Sequence, residues 1–307
     1  MGDSVHDLRE ATKTLLKHRY RLKNSYKRPG GLIDLASQDP ELVMVGDLHG
    51  AHENLKQILK HESVEERVAR GEVILVILGD GPHNDQTGQM KEMESSILVM
   101  DEVVRLLLAY GDSVIYIRGN HDTFEPRLAK SGIQQGLELR NYCLATRGPQ
   151  YTEALEAFFE ALPFVVLGKD FIITHAGPIR NGCLKQELID IEDNEDLRRQ
   201  LMWNRIHELR GGTPSMKEYD AEDIARMKQK LGLPEDAYFI VGHNPMWRTG
   251  NMTGIWRNVL GIKNHFILYA NLATKGPYLV LKNGVAQEKF SVQKTEDTWE
   301  RIATYGR

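Results

Sequence analysis

Seven side chains able to hold a metal ion or move a proton stand at the ends of five apolar runs in this 307-residue chain. Asp47 and His49 follow the first run, Asp80 the second, Asn120 and His121 the third, His175 the fourth and His243 the fifth. Carboxylate and amide oxygens combined with imidazole nitrogens suit hard-to-borderline divalent metals such as Mn, Fe, Zn or Co. No cysteine takes part, which excludes a thiolate zinc knot. Any one of these residues alone would read as a cap or a turn after a strand. Together, in order and always at the carboxyl end of an apolar run, they read as a metal centre, because open α/β sheets bind their ligands at that edge.

The runs that position them are Leu42–Val45, Val73–Leu78, Val114–Ile117, Phe171–Thr174 and Tyr238–Val241. Each is apolar, rich in β-branched residues and ends in a polar turn, so each predicts a buried strand. Apolar spacing of three and four residues predicts helices over His52–His61, Met90–Tyr110, Tyr151–Ala161, Glu195–Leu209 and Ala221–Leu231. A first helix, rich in Lys and Arg, is expected from His6 to about Tyr26, broken by Pro29-Gly30-Gly31. Alternation through Asn264–Tyr269, Tyr278–Leu281 and Val285–Phe290 predicts closing antiparallel strands. The organisation expected is a helical N-terminal extension, 1–31, followed by one α/β domain, 32–307.

Five blocks carry a family resemblance. GDLHG (46–50), GD (79–80), GNHD (119–122), THAG (174–177) and GHNP (242–245) resemble, in order, the calcineurin-like metallophosphoesterases across roughly residues 40–285. The resemblance implies a four-layer αββα sandwich of two mixed sheets flanked by helices. It implies two divalent ions (Mn, Fe or Zn) about 3.5–4 Å apart. Asp47 and His49 would bind the first, Asp80 would bridge both, and Asn120, His175 and His243 would bind the second. A hydroxide bridging the two metals would attack phosphorus in line, and His121 would serve the leaving group as general acid.

Further segments place the resemblance in the phosphoprotein phosphatase branch and its bacterial relatives, which include diadenosine tetraphosphate hydrolases. Pro245 stands where many members of the wider family have a second histidine, and RGNHD (118–122), FFEALPFVV (158–166), LMWNR (201–205) and LYANLA (268–273) resemble segments of that branch. Ala176 in HAG resembles the prokaryotic form. The second block departs from the branch. In GDGPHND (79–85), His83 replaces an Asp that supports the general acid, and Asn84 replaces an Arg that grips the phosphate. A lost guanidinium removes a bidentate clamp on the transferred group. Arg210 in ELRGG (208–212) is expected to supply one instead, with Asn84, His83 and Arg248 as further donors. About ten residues more than the branch pattern separate Asp80 from Asn120, so Gln86–Glu94 reads as a lid or specificity insert.

The remaining composition bounds the function. A net charge of -4 and 27% charged residues exclude an overall basic footprint, so nucleic acid is not an expected partner. The basic stretch Lys13–Arg28 reads as a solvated helix face, or else as a docking arm for an acidic partner or nucleic acid. Cys143 and Cys183 are too few for a disulfide framework, no apolar signal core opens the chain, and no apolar run approaches the roughly 20 residues of a membrane helix, so a cytoplasmic setting and no membrane are expected. His52, His61, His207 and His265 read as ordinary surface or core histidines. The expected activity is hydrolysis of phosphate monoesters, serine/threonine phosphatase-like, on a phosphorylated protein or a small phosphoester. One rival is a dinucleoside polyphosphate or cyclic nucleotide hydrolase. A rival of another class is a non-catalytic metal-binding scaffold, against which stands the complete set of six ligands.

Overall fold

Side-chain alternation assigns the layers. The computed structural model describes residues 4–85, 91–130, 132–208, 212–246, 251–271 and 276–291. In strand β3 (Glu41–Val45), Val43 and Val45 pack outward against helices while Leu42 and Met44 pack inward between two sheets. In β4 (Val73–Ile77), Leu75 and Ile77 face outward and Val76 inward. In β12 (Tyr238–Val241), Phe239 and Val241 meet the opposite helix layer while Ile240 turns inward. Strands apolar on both faces must be covered on both, and a sandwich of two sheets between two helix layers satisfies that requirement.

The first sheet has the order β16-β15-β3-β4-β5, where β5 is Val114–Tyr116, β15 Pro277–Lys282 and β16 Val285–Phe290. Its β3, β4 and β5 run parallel, while β15 joins β3 antiparallel. The second sheet has the order β1-β2-β8-β9-β12-β14-β13. Its members are β1 (Arg21–Lys23), β2 (Pro29–Asp34), β8 (Val165–Leu167), β9 (Phe171–Thr174), β12, β13 (Ile255–Arg257) and β14 (His265–Leu268). Strand β12 lies parallel to both β9 and β14. Two short pairs stand apart: β6 (Ala129–Lys130) with β7 (Ile133–Gln134), and β10 (Arg205–Ile206) with β11 (Glu218–Tyr219). Helices α1 (Ser4–Lys17), α2 (His52–Lys60), α3 (Val64–Ala69), α4 (Glu94–Tyr110), α5 (Gln135–Thr146) and α6 (Pro149–Glu160) cover the first sheet. Helices α7 (Lys185–Ile189), α8 (Glu195–Trp203) and α9 (Ala221–Lys230) cover the second. The expected αββα architecture is therefore the one observed.

Differences from the sequence reading are local. The basic N-terminal helix stops at Lys17, and the chain then enters β1 and β2 at the edge of the second sheet. Leu8, Ala11 and Leu15 of α1 are buried in the outer core of the first sheet, and the boundary expected at 31/32 falls inside β2. Helix α8 ends at Trp203 rather than near Leu209, because Asn204 is extended and the next two residues pair with β11. Strand β14 is parallel to β12 and antiparallel only to β13.

The two sheets meet at the rim where the polar residues gather. Asp47 and Tyr269, which follow β3 and β14, form a parallel bridge across the sandwich. Gly46 makes this approach possible: a Cβ there would lie 2.2 Å from the carbonyl oxygen of Leu268.

Candidate metal centre

Each expected ligand leaves its strand into a tightly specified turn. His49, Asp80 and His243 adopt positive φ angles of 42°, 52° and 63°, and His83 one of 69°. Such conformations are uncommon outside glycine and concentrate at functional sites, where surrounding contacts hold them. Those contacts are visible. Both oxygens of the Asp47 carboxylate accept the His243 backbone N–H, at 2.8 and 3.0 Å. Gly242 permits this, since a Cβ there would lie 2.1 Å from Asp47 Oδ1. The Asp80 carboxylate accepts the His121 backbone N–H at 2.7 Å, and the Asp80 carbonyl accepts N–H groups of Leu48 and His49 at 3.1 and 2.8 Å.

The imidazole orientations make the strongest case for a cation. A carbonyl oxygen can only accept, so His175 Nδ1–H donates to Leu78 O at 2.7 Å. Its Nε2 then points at two more acceptors, Asn120 Oδ1 at 3.1 Å and Asp80 Oδ2 at 3.3 Å. Without a proton or a metal ion between them, three lone-pair bearers would face one another. His49 repeats the pattern. Its Nδ1–H donates to Pro82 O at 3.2 Å, and Nε2 faces Asp80 Oδ2 at 3.7 Å and Asp47 Oδ2 at 3.9 Å, too far for a hydrogen bond. His243 Nε2 is buried and has no hydrogen-bond partner among the described residues.

Two ligand groups result, His49-Asp80-His121 and Asp80-His175-His243, with the ligand atoms of each within 4.8 Å of one another. They share Asp80. The donor set fits divalent ions: oxygen and imidazole only, buried, and oriented by outer hydrogen bonds. His121 stands in the first group where Asp47 was expected, because the Asp47 carboxylate is drawn toward the His243 backbone; Asp47 remains within 3.9 Å of both His49 and His175. Burial pushes the Asp47 carboxyl up to about 8, with Asp80 adding to the rise and His175 opposing it. Burial acts on Asp80 in the same sense, but His175, His121 and His49 outweigh it and hold its carboxyl well below the usual range. Burial opposes a charge on His175, yet Asp80 and Asp47 raise it to about 9.

His83 lies inside, fully buried, against His121. The two Nδ1 atoms are 3.0 Å apart, and His83 Nε2–H donates to Gln135 O at 3.1 Å. Burial, aided by His49, lowers the His83 pKa to about 3 and keeps it neutral. Asn84 does not line the cavity of about 370 Å³ at this rim; its amide donates to Glu92 Oε2 at 2.9 Å and to Ser95 Oγ at 3.0 Å. Arg210, Arg248 and residues 86–90 of the expected insert lie outside the described residues.

The sequence reading missed three residues. Asp122, the last letter of GNHD, accepts backbone N–H groups of Asp80 at 3.0 Å and Gly119 at 2.7 Å, so it ties together the loops after β4 and β5. Tyr116 O–H donates to Asp122 at 2.6 Å and accepts Gly81 N–H at 2.9 Å. Arg205 lines the cavity beside His243, and its charge opposes proton binding at both Asp47 and His243. The GNHD block itself signals Asp122; nothing in the spacing signals Arg205. A larger cavity, about 760 Å³ beside α1 and α4, contains none of these residues.

Similarity to known proteins agrees with this geometry. The family model described as calcineurin-like phosphoesterase matches residues 41–266. No curated protein matches the sequence at a significant level. Among solved structures, a protein serine/threonine phosphatase from Saccharomyces cerevisiae is similar at TM-score 0.68 and 13% identity, over 95% of this chain and 90% of its own. A cold-active protein-tyrosine phosphatase from a Shewanella species is similar at TM-score 0.54 and 14% identity, over 85% and 80%. At those identities the structures speak for the fold alone. A putative diadenosine tetraphosphatase shares 18% identity at TM-score 0.48, over 86% and 100%. The family match spans most of the chain and takes in every one of the converging side chains, and the chain belongs to the calcineurin-like phosphoesterase family.

Proposed function

We propose that the chain is a binuclear metal-dependent phosphomonoesterase resembling serine/threonine protein phosphatases. The observation that carries this reading is the sharing of Asp80 between two buried ligand groups. Asp47 and His49 would hold one divalent ion, Asn120, His175 and His243 the other, and Asp80, common to both groups, would serve each; Mn, Fe or Zn suits the donors. When bound, the ions supply Lewis acidity and lower the pKa of water.

The chain's own groups do the rest. His83, neutral and fixed by Gln135 O, presents an Nδ1 lone pair that accepts His121 Nδ1–H. His121 Nε2 would then give a proton to the leaving-group oxygen from the imidazolium form; burial lowers the His121 pKa well below its usual value, with Asp80 opposing, so that proton is readily released. Arg205 lines the cavity and supplies positive charge to the transferred phosphoryl in place of the arginine missing at position 84. Two buried free cysteines support a reducing, cytoplasmic setting, and no helix among the described residues is long and apolar enough to cross a membrane. A nucleotide or dinucleoside polyphosphate substrate is the second reading, favoured by the absent arginine.

A Mn-supplemented panel of an aryl phosphate, a phosphopeptide, diadenosine tetraphosphate and a cyclic dinucleotide tests this. Turnover of the two monoesters, lost on chelation, is expected. No turnover of any of the four overturns the enzymatic reading in favour of a binding scaffold.

A further inference from the structure

A second cavity, of about 650 Å³, adjoins the metal centre. Asn120 and Trp203 line both, so a chain whose phosphoryl group sits among the ligands runs on into it. Three elements build its walls. Arg118 and Asn120 stand on the loop that follows β5. Glu195, Arg198, Arg199 and Met202 recur at i, i+3, i+4 and i+7 along α8, the spacing of one helix face, and that face lines the cavity. Lys217 stands just before β11, where its carbonyl accepts the Arg205 backbone N–H at 3.0 Å. The β10–β11 ribbon therefore carries Arg205 to the metal-centre cavity and Lys217 to the neighbouring one.

The charge of these walls is opposite to that of the chain. The whole chain has a net charge of -4, whereas five cationic side chains and two carboxylates line the cavity. Part of the positive charge is compensated: Arg127 pairs with Glu125 at 3.1 Å and Arg199 with Asp196 at 2.7 Å. Among the described residues Arg118, Arg198 and Lys217 form no ion pair, and Glu195 is the one carboxylate of the wall in the same condition. Arg198 Nε is buried with no hydrogen-bond partner, and Arg118 lies over the Phe164 ring, 5.9 Å from its centroid. Cations lining one cleft without counter-charges attract anionic ligands into it. The negative charge of the rest of the chain opposes a long polyanion such as nucleic acid and leaves a short acidic segment as the better match.

We propose that this cavity is a recognition groove for acidic residues flanking the phosphorylated residue of a protein substrate, with Arg118, Arg198 and Lys217 as its specificity-determining cations. This rests on the phosphomonoesterase reading of the metal centre and names the sequence context that the site prefers. An extended peptide advances about 3.3 Å per residue, so a cavity of this volume takes a stretch of roughly three residues.

The test uses the Mn-loaded full chain and three phosphoserine peptides of one length, flanked by Asp and Glu, by Gln, or by Lys. An aryl phosphate, too small to reach the groove, is the reference. One exposed ion pair changes binding by roughly 1.5- to 5-fold, so several together predict a preference of about 10-fold in kcat/KM for the acidic peptide over the Gln peptide. The preference is expected in KM rather than kcat, because the groove holds ground and transition states alike, and it is expected to shrink at high salt. Lys217→Glu, at an exposed position, is expected to remove most of it, and Arg198→Gln to reduce it about 2- to 5-fold, each read as the ratio to the aryl phosphate. Equal kcat/KM for the acidic and Gln peptides overturns the groove, and so does a preference that survives Lys217→Glu. A larger Lys217 dependence for diadenosine tetraphosphate than for the acidic peptide also overturns it, assigning the cations to a nucleotide. If neither aryl phosphate nor peptide is cleaved, the phosphomonoesterase reading fails. Fluorescence anisotropy of the labelled acidic peptide on wild type and Lys217→Glu then still decides the groove: affinity lost in the variant supports it, and equal affinity overturns it.

Discussion

His83 and His121 meet through their Nδ1 atoms at 3.0 Å, with His83 anchored on its other side to Gln135 O at 3.1 Å. One imidazole thus fixes the tautomer of another, at the position where the second block departs from the phosphatase branch by carrying His83 in place of a carboxylate. His83→Ala is expected to lower kcat by about 10- to 100-fold, the usual cost of losing an orienting partner. His83→Asp is expected to restore most of it, with the pH profile displaced upward because a carboxylate stabilises the protonated His121. Rate profiles of both variants check this; no difference between them would assign His83 a packing role only.

His121→Ala is expected to slow substrates with poor leaving groups far more than activated aryl phosphates. General acids contribute typically about 10²–10⁴-fold, and only where the departing oxygen needs a proton. Single-turnover rates across a series of leaving groups measure it. Equal losses along the series would mean that His121 serves the ligand group in which it stands.

Strand ends were legible in the sequence because each apolar run closes on the very residues that converge. Asp122 and Tyr116 escaped notice because they act on backbone N–H groups, which leave no pattern of residue types. Asn84 illustrates a different limit. Its place in the motif puts it at the phosphate, but the turn at His83, with φ of 69°, delivers its amide to Glu92 and Ser95. Strands β1 and β13 have three residues each, too few for periodicity to reveal, β2 opens on Pro29-Gly30-Gly31 and so read as a break, and the basic segment before Arg28 read as one helix although only Ser4–Lys17 is helical. Arg205 became visible only when α8 ended early and β10 carried it to the cavity.

Arg21 joins three pieces of the fold. Its guanidinium donates to Gly30 O at 2.7 Å, Leu15 O at 3.3 Å and Ala161 O at 2.6 Å, linking the end of α1, strand β2 and the end of α6. Arg21→Met leaves these carbonyls without their donor and is expected to cost about 2–4 kcal/mol in denaturant unfolding. A change under about 0.5 kcal/mol would mean water satisfies them equally well.

His265 is buried in the core of the second sheet, donating from Nδ1 to Phe239 O at 3.0 Å and accepting at Nε2 from Tyr219 O–H at 3.1 Å. Burial lowers its pKa from 6.5 to about 4. A proton binds more tightly to the unfolded chain, so this group's contribution is fully present above pH 6.5 and is lost as pH falls toward 4, by up to about 3 kcal/mol. His265→Gln is expected to be less stable at pH 7 but to lose less stability over that interval. Parallel pH curves for wild type and variant would contradict the assignment.

Asp80 is the carboxylate common to both ligand groups, so metal stoichiometry tests the binuclear centre most directly. Elemental analysis of the Mn-loaded chain should give about two ions, with aryl phosphate hydrolysis lost on chelation and regained on adding Mn. Asp80→Asn should hold fewer ions and lose more activity than a change at any other ligand. A wild-type stoichiometry near zero, with hydrolysis that survives chelation, would contradict it.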